Sequence, residues 1–187
     1  MTNNNRKRQP EIVREQLLAS AASVAAERGL GALTLDLVAQ RAGVSKGGLI
    51  HHFPSRRALV EGLFNHLLAL FESSVANYIS QDSNPRGRFS RAYLMASAFP
   101  VGDPDESKLH GAFALAMSND EHLAAIWREW VAAQMGKHSE DVGSAIGLMV
   151  RYAADGIWLE ACAGTGADCA KTRASAIDRL IELTYSI

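Results

Sequence analysis

Cysteine is scarce in this chain: Cys162 and Cys169 are the only two among 187 residues. Two thiols cannot make a disulfide framework, and they read as reduced residues of an intracellular protein. Long apolar runs are missing as well. No stretch of about 18 apolar residues occurs, so a transmembrane helix is not expected. The start "MTNNNRKRQP" has no apolar stretch behind it, which argues against a secretory signal and leads us to expect a cytoplasmic protein. Period-two alternation and internal repeats are absent, so strands have no support. Catalytic signatures are absent too: the sequence holds no HExxH, no E-x-x-H suited to a di-iron bundle, no G-x-S-x-G and no P-loop. A nucleophile and base built from Cys162 and His110 can be imagined, but no motif supports it. The chain reads as a non-enzyme that needs no cofactor.

Net charge is nearly absent, at -1, yet it is unevenly spread. Up to Arg57 there are nine Lys/Arg against four acids, giving +5; the remainder carries -6. A basic head on an acidic body suggests that only the head meets a polyanion, although a solvated charge cluster would look the same. The "NNNRKR" segment leaves two readings open, an arm entering a minor groove or a solvated tail.

What is present is helical periodicity. Ile12, Leu17, Ala21, Val24 and Ala25 recur at three- and four-residue steps over 11–28, and Gly29 closes the run. Thr34 is placed to cap a second helix containing Leu35, Leu37, Val38 and Ala42, which Gly43 stops. Ser45 caps a third, and Pro54 prevents that helix from running past about His52. Longer helices follow at about 56–80, 85–99, 105–118, 120–137, 140–163 and 167–185. The expected fold is all-α, with about nine helices.

The second and third helices, joined through "AGVS", match a helix-turn-helix in which Gly43 permits the turn and Val44 plugs the space between them. Gly47 and Gly48 sit where the recognition helix would approach phosphate backbone, and their lack of a side chain permits that approach. Simple fraying of a weak helix is the alternative. Adjacent His51 and His52 project about 100° apart, with no Cys or acidic ligand nearby, so no metal site is expected there.

The stretch "GALTLDLVAQRAGVSKGGLIHHFPSRRALV" resembles the DNA-binding signature of TetR-type transcriptional regulators, and the likeness runs from about Glu11 to Leu63. It implies a helix-turn-helix DNA-binding domain over 1–55 and an effector-binding, dimerising domain over 56–187. It also implies double-stranded operator DNA as partner and repression as the sense of regulation. By resemblance, Thr34 caps and touches phosphate, Ser45 caps the recognition helix, and Lys46, Gly47 and Gly48 form the base- and backbone-contacting turn. His51 and His52 pack against sugar-phosphate, and Arg56 clamps a phosphate. The departure is Ile50, where many members carry Tyr, so one hydroxyl contact to phosphate is lost and Arg56 or Arg57 must anchor more.

The resemblance places the eighth and ninth predicted helices in a homodimer interface. Small residues Ala145, Gly147, Ala153, Ala154, Gly156, Ala161 and Ala163 line one of them, and Ile177, Leu180, Ile181 and Thr184 stripe the other; packing within one chain would explain the stripe equally. A small-molecule effector site is expected among Phe99, His110, Phe113, Met117, Trp127, Trp130, Arg151, Asp155 and Trp158, of which the large apolar members would serve a core as readily. Arg151 and Asp155 either orient a ligand or simply pair with each other at i,i+4. A constitutive, architectural DNA binder without an effector is the rival reading.

Overall fold

The computed structural model describes residues 4–99, 104–162 and 170–187, and among them no strand occurs. The head consists of α1 (Asn4–Arg28), a single 3-10 turn (Leu30–Ala32), α2 (Leu35–Ala42) and α3 (Lys46–His52). The body holds α4 (Arg56–Gln81), α5 (Arg88–Ala98), α6 (Pro104–Met117), α7 (Glu121–Lys137), α8 (Ser139–Val142), α9 (Ala145–Cys162) and α10 (Ala170–Thr184). Cys169, Ala163 and the connections over 100–103 and 163–169 lie outside the described residues.

Three boundaries differ from the sequence reading. α1 begins at Asn4, earlier than the periodicity suggested, and takes Pro10 inside it, at the loss of one backbone hydrogen bond. α5 begins at Arg88, after Asp82 and Asn84 fold the approach into turns by accepting from the Asn84 N–H at 2.9 Å and the Arg86 N–H at 3.0 Å. The helix expected over 140–163 is interrupted. Ser144 accepts from the Gly147 N–H at 2.9 Å, and such a side-chain cap starts a new helix at that point.

Two hydrophobic clusters hold these elements together. The first joins Leu17 and Val24 of α1, Val38 of α2, Leu49 of α3, Leu59 and Leu63 of α4, and Leu109 and Phe113 of α6. The helix-turn-helix is therefore packed on the same core as α4 and α6. The second joins Val75, Phe89, Tyr93, Leu94, Val150, Ala154 and Ile177, from α4, α5, α9 and α10. α4 contributes to both, and Trp130 of α7 packs against both. Phe53, at the end of α3, lies under α4 so closely that a methyl group on Gly62 would stand 2.5 Å from its ring.

Candidate nucleic-acid interface

Local capping builds the helix-turn-helix. Thr34 Oγ1 accepts from the Leu37 N–H at 3.2 Å and Ser45 Oγ from the Gly48 N–H at 3.1 Å, each satisfying a donor that the helix start leaves open. Between them Gly43 adopts the left-handed region with φ 68°. Its N–H bonds the Gln40 carbonyl at 3.3 Å and the Val44 N–H bonds the Ala39 carbonyl at 3.0 Å, closing α2 and turning the chain into α3. Ser55 repeats the device for α4, accepting from Ala58 at 3.1 Å.

Two ion pairs then link the helices of the head. Arg41 donates through both terminal nitrogens to the Glu27 carboxylate, tying α2 to α1. That bonding holds the Glu27 carboxyl down at about 2. Lys46 pairs with Asp36 at 2.9 Å across the turn, with both side chains largely exposed. Such a pair contributes little stability; its effect is to hold the Lys46 ammonium beside α3 until a stronger anion displaces Asp36. His52 is half-buried, and burial, then neighbouring His51 and Arg14, lowers its pKa.

The two glycines on α3 differ in what surrounds them. Both have ordinary helical φ, since only Gly29, Gly43 and Gly87 are positive. A Cβ on Gly47 would meet nothing within 4 Å, and one on Gly48 would meet only Ser45 Oγ at 3.3 Å. Thr34, Ser45, Lys46, Gly47, Gly48, His51, His52 and Arg56 all lie on or beside the helix-turn-helix, and Thr34, Lys46, Gly47, His51 and Arg56 are exposed there. Arg56 has a task the sequence did not disclose. Its Nε donates to the Leu33 carbonyl at 2.7 Å and its Nη2 to the Leu30 carbonyl at 2.7 Å, so it first locks the loop before α2. Only its remaining N–H groups are free for a phosphate.

The candidate effector residues separate into groups. Phe113 is 2% exposed and packs 5.1 Å from Phe64, inside the head-side core beside Met117. Its truncation would cost about 3–5 kcal/mol as a core deletion, whatever else it does. Phe99 is 50% exposed at the end of α5, apart from the other aromatics. His110 stands 6.1 Å from Trp158 between α6 and α9, with its pKa lowered by burial. Trp127 and Trp130 stack at 5.3 Å, and Trp130 also meets Phe71 at 5.6 Å and Tyr93 at 6.4 Å. Tyr93 Oη donates to Asp155 at 2.6 Å, while Arg151 stands 3.8 Å from that same carboxylate. Burial raises the Asp155 pKa despite both partners. The Trp130 Nε1–H and the Arg151 Nε–H are buried without a hydrogen-bond partner among the described residues. Phe71 and Tyr93 escaped the sequence reading because each sits in a helix whose face was unknown. Among the described residues no three His, Cys, Asp or Glu side chains are grouped to hold a metal, and no helix is long and apolar enough to cross a membrane.

The α10 stripe faces inward. Ile177 and Thr184 are buried, and the partly buried Leu180 and Ile181 pack on the second core, so the stripe makes contacts within the protomer. Of the small residues on α9, Gly147 and Ala154 are likewise buried. The outward strip of α9 consists of Met149, Tyr152, Gly156 and Leu159, whose three large side chains are 52–60% exposed.

An all-α chain with a capped helix-turn-helix on the end of a helical body defines the class of helix-turn-helix regulators. Two family models match the chain: "Bacterial regulatory proteins, tetR family" over residues 17–63 and "Tetracyclin repressor-like, C-terminal domain" over 87–185. The chain belongs to the TetR family of transcriptional regulators. It is 33% identical over 116 residues to the HTH-type transcriptional repressor KstR2 of Rhodococcus jostii, covering 60% of this chain and 52% of that one. It is also 33% identical over 81 residues to KstR2 of Mycobacterium tuberculosis, covering 43% and 40%. These matches span about half, or less, of the relatives' length. A solved transcriptional regulator from Rhodococcus sp. Rha1 superposes with TM-score 0.66 at 24% identity, over 92% of this chain and 96% of that one. The ketosteroid transcriptional regulator KstR2 of Mycobacterium tuberculosis gives 0.54 at 22%, over 79% and 81%. At those identities the likeness is one of fold.

Proposed function

We propose that this protein is a homodimeric DNA-binding repressor, released from its operator when a small apolar or aromatic effector enters the body. The observation that carries the reading is the outer face of α3, where Gly47 is open and the exposed Lys46, Ile50 and His51 surround it. Among the described residues nothing covers that face. On this reading residues 1–55 read DNA, with Lys46 exchanging Asp36 for DNA and Arg56 adding a phosphate contact to its hold on Leu30 and Leu33. Residues 56–187 pair the protomers and sense the effector. Its cytoplasmic site and its lack of a metal or cofactor remain part of this reading.

One α3 spans too few base pairs for useful affinity, so two copies are needed, with half-site centres about one helical turn or a small multiple apart. The exposed α9 strip of Met149, Tyr152, Gly156 and Leu159 is the surface we assign to pairing, since Gly156 has nothing within 4 Å and lets a second helix approach. Effector binding fits the seam around Trp130, where buried donors lack partners. The ligand releases DNA only as far as it prefers the body conformation with misplaced heads. A coupling of about 1–3 kcal/mol changes operator affinity about 5- to 150-fold. α4 is the lever, because it carries both Phe71, beside Trp130, and Gly62, over Phe53.

The test is selection of an operator from randomised duplex DNA with the full chain, followed by sizing of the complex. Two protomers on a two-fold site support the reading; a monomer on DNA, or no preferred sequence, overturns it. With an inducer from a screen, Trp130→Ala should bind operator as before and lose induction.

A further inference from the structure

We infer that Gly47 and Ile50 together form a reading site for one thymine methyl group in each operator half-site. The inference rests on the DNA-binding reading above and deepens it. Leu49, 0% exposed, and Phe53, 2% exposed, anchor the inner side of α3. At about 100° per residue, Gly47 and His51 then occupy the outermost line, with Ile50 on its flank. Ile50 is 40% exposed, a branched aliphatic side chain held out beside a position with no side chain at all. Because nothing lies within 4 Å of a Cβ at Gly47, α3 carries a notch there, walled on one side by Ile50 three residues on and on the other by His51.

The chemistry of DNA narrows what fits. Ile50 cannot bond a phosphate oxygen or any donor or acceptor on a base edge. In the major groove the thymine C5-methyl is the apolar group that a base presents, and aliphatic side chains discriminate by contact with it. The head's charge of +5 brings the duplex to this face, and the Lys46 ammonium, with the free Arg56 N–H groups, holds the phosphates around it. Position 47 must then stay bare, since a side chain there would fill the space the methyl takes.

The experiment replaces each thymidine of the selected operator by deoxyuridine, which removes the methyl and leaves every hydrogen-bonding group in place. The native protein should lose about fourfold affinity at one position per half-site, the value of one buried methyl, and Ile50→Ala should bind thymidine and deoxyuridine operators alike. Ile50→Val should keep most of the discrimination, and Gly47→Ala should lose it. Indifference of the native protein to every replacement overturns the inference. So does a methyl effect of equal size in Ile50→Ala, because the methyl would then touch something else. Failure to select any operator would instead overturn the DNA-binding reading and this site with it; retained affinity for random duplex in Ile50→Ala shows that the variant is folded.

Discussion

The helix-turn-helix and α5 of the body start their helices by opposite means. α2, α3 and α4 are each capped by the residue immediately before them, Thr34, Ser45 and Ser55, through a hydroxyl that reaches three residues forward. α5 has Gly87 at its start, in the left-handed region and with no side-chain cap of its own. Its open donors are satisfied instead by Asp141, which lies more than fifty residues on. The Asp141 carboxylate accepts from the Phe89 N–H at 2.7 Å, the Ser90 N–H at 3.3 Å and the Ser90 hydroxyl at 2.5 Å. A local cap depends on a single neighbouring residue, whereas a remote cap ties together the elements it joins. The reading surface is built in the first way and α5 in the second, although α7 and α9 of the body carry local caps at Asp120 and Ser144.

The largest effect should come from removing the remote cap. Asp141→Ala leaves three donors in a buried site without a partner, and we expect a loss of about 3 kcal/mol or more. Hydrogen exchange is the sharper measurement. Protection should fall at Phe89 to Ala92 while amides of α2 and α3 keep theirs; equal loss in both regions would erase the distinction drawn between them.

Arg56→Ala comes next. It cuts two charge-assisted bonds to the Leu30 and Leu33 carbonyls, so stability should fall by about 2 kcal/mol. DNA binding should weaken on specific and random duplexes together, with the salt slope flatter by about one. A variant of unchanged stability would return Arg56 to the purely phosphate-binding role that the sequence suggested.

Ser45→Ala should cost about 1 kcal/mol, confined to α3. Acid should act on the same region through Glu27. Its carboxyl is held down at about 2 from 4.5 chiefly by the hydrogen bond with Arg41, so that contribution is present above the unfolded value and lost as pH falls from about 4.5 towards 2. Comparing acid titrations of the native protein and Glu27→Gln checks this; identical curves would remove the pair from the account.

This contrast also explains how much could be read beforehand. In the head, the residue that stops or starts each helix is its immediate neighbour, so Thr34, Gly43, Ser45 and Pro54 were legible in order, and the family likeness fell on the same residues. The body's decisive contacts join positions far apart. Tyr93 with Asp155, Asp141 with Ser90, and Arg91 with Thr184 leave no spacing that periodicity can detect. The same limit left two readings of the α10 stripe open. Ile177 and Thr184 recur at helical steps whether they meet α5 of their own chain or a second protomer, and only the packing shows that they are buried in the first. Arg56 is the intermediate case. Its position suggested an anion, but the carbonyls of Leu30 and Leu33 reach it through a turn whose path the sequence does not define.

The smallest expected effect separates the two purposes a glycine can have. If Gly47 were merely a weak point in α3, alanine there would improve the protein in every respect. Its backbone is helical and a methyl would meet nothing within 4 Å, so Gly47→Ala should raise stability by about 0.5–1 kcal/mol, the ordinary gain of alanine over glycine inside a helix. The same methyl would occupy the space on the outer face of α3 that duplex DNA must enter. Operator affinity should therefore fall while the melting temperature rises, and affinity for random duplex should fall less. Gly48→Ala offers the contrast, since its methyl would press on Ser45 Oγ at 3.3 Å and so offset part of the gain through the cap. Paired melting and operator titrations on both variants decide the matter. If Gly47→Ala melts higher and binds operator as tightly as before, that glycine has no docking role, and the open face of α3 meets DNA through its side chains alone.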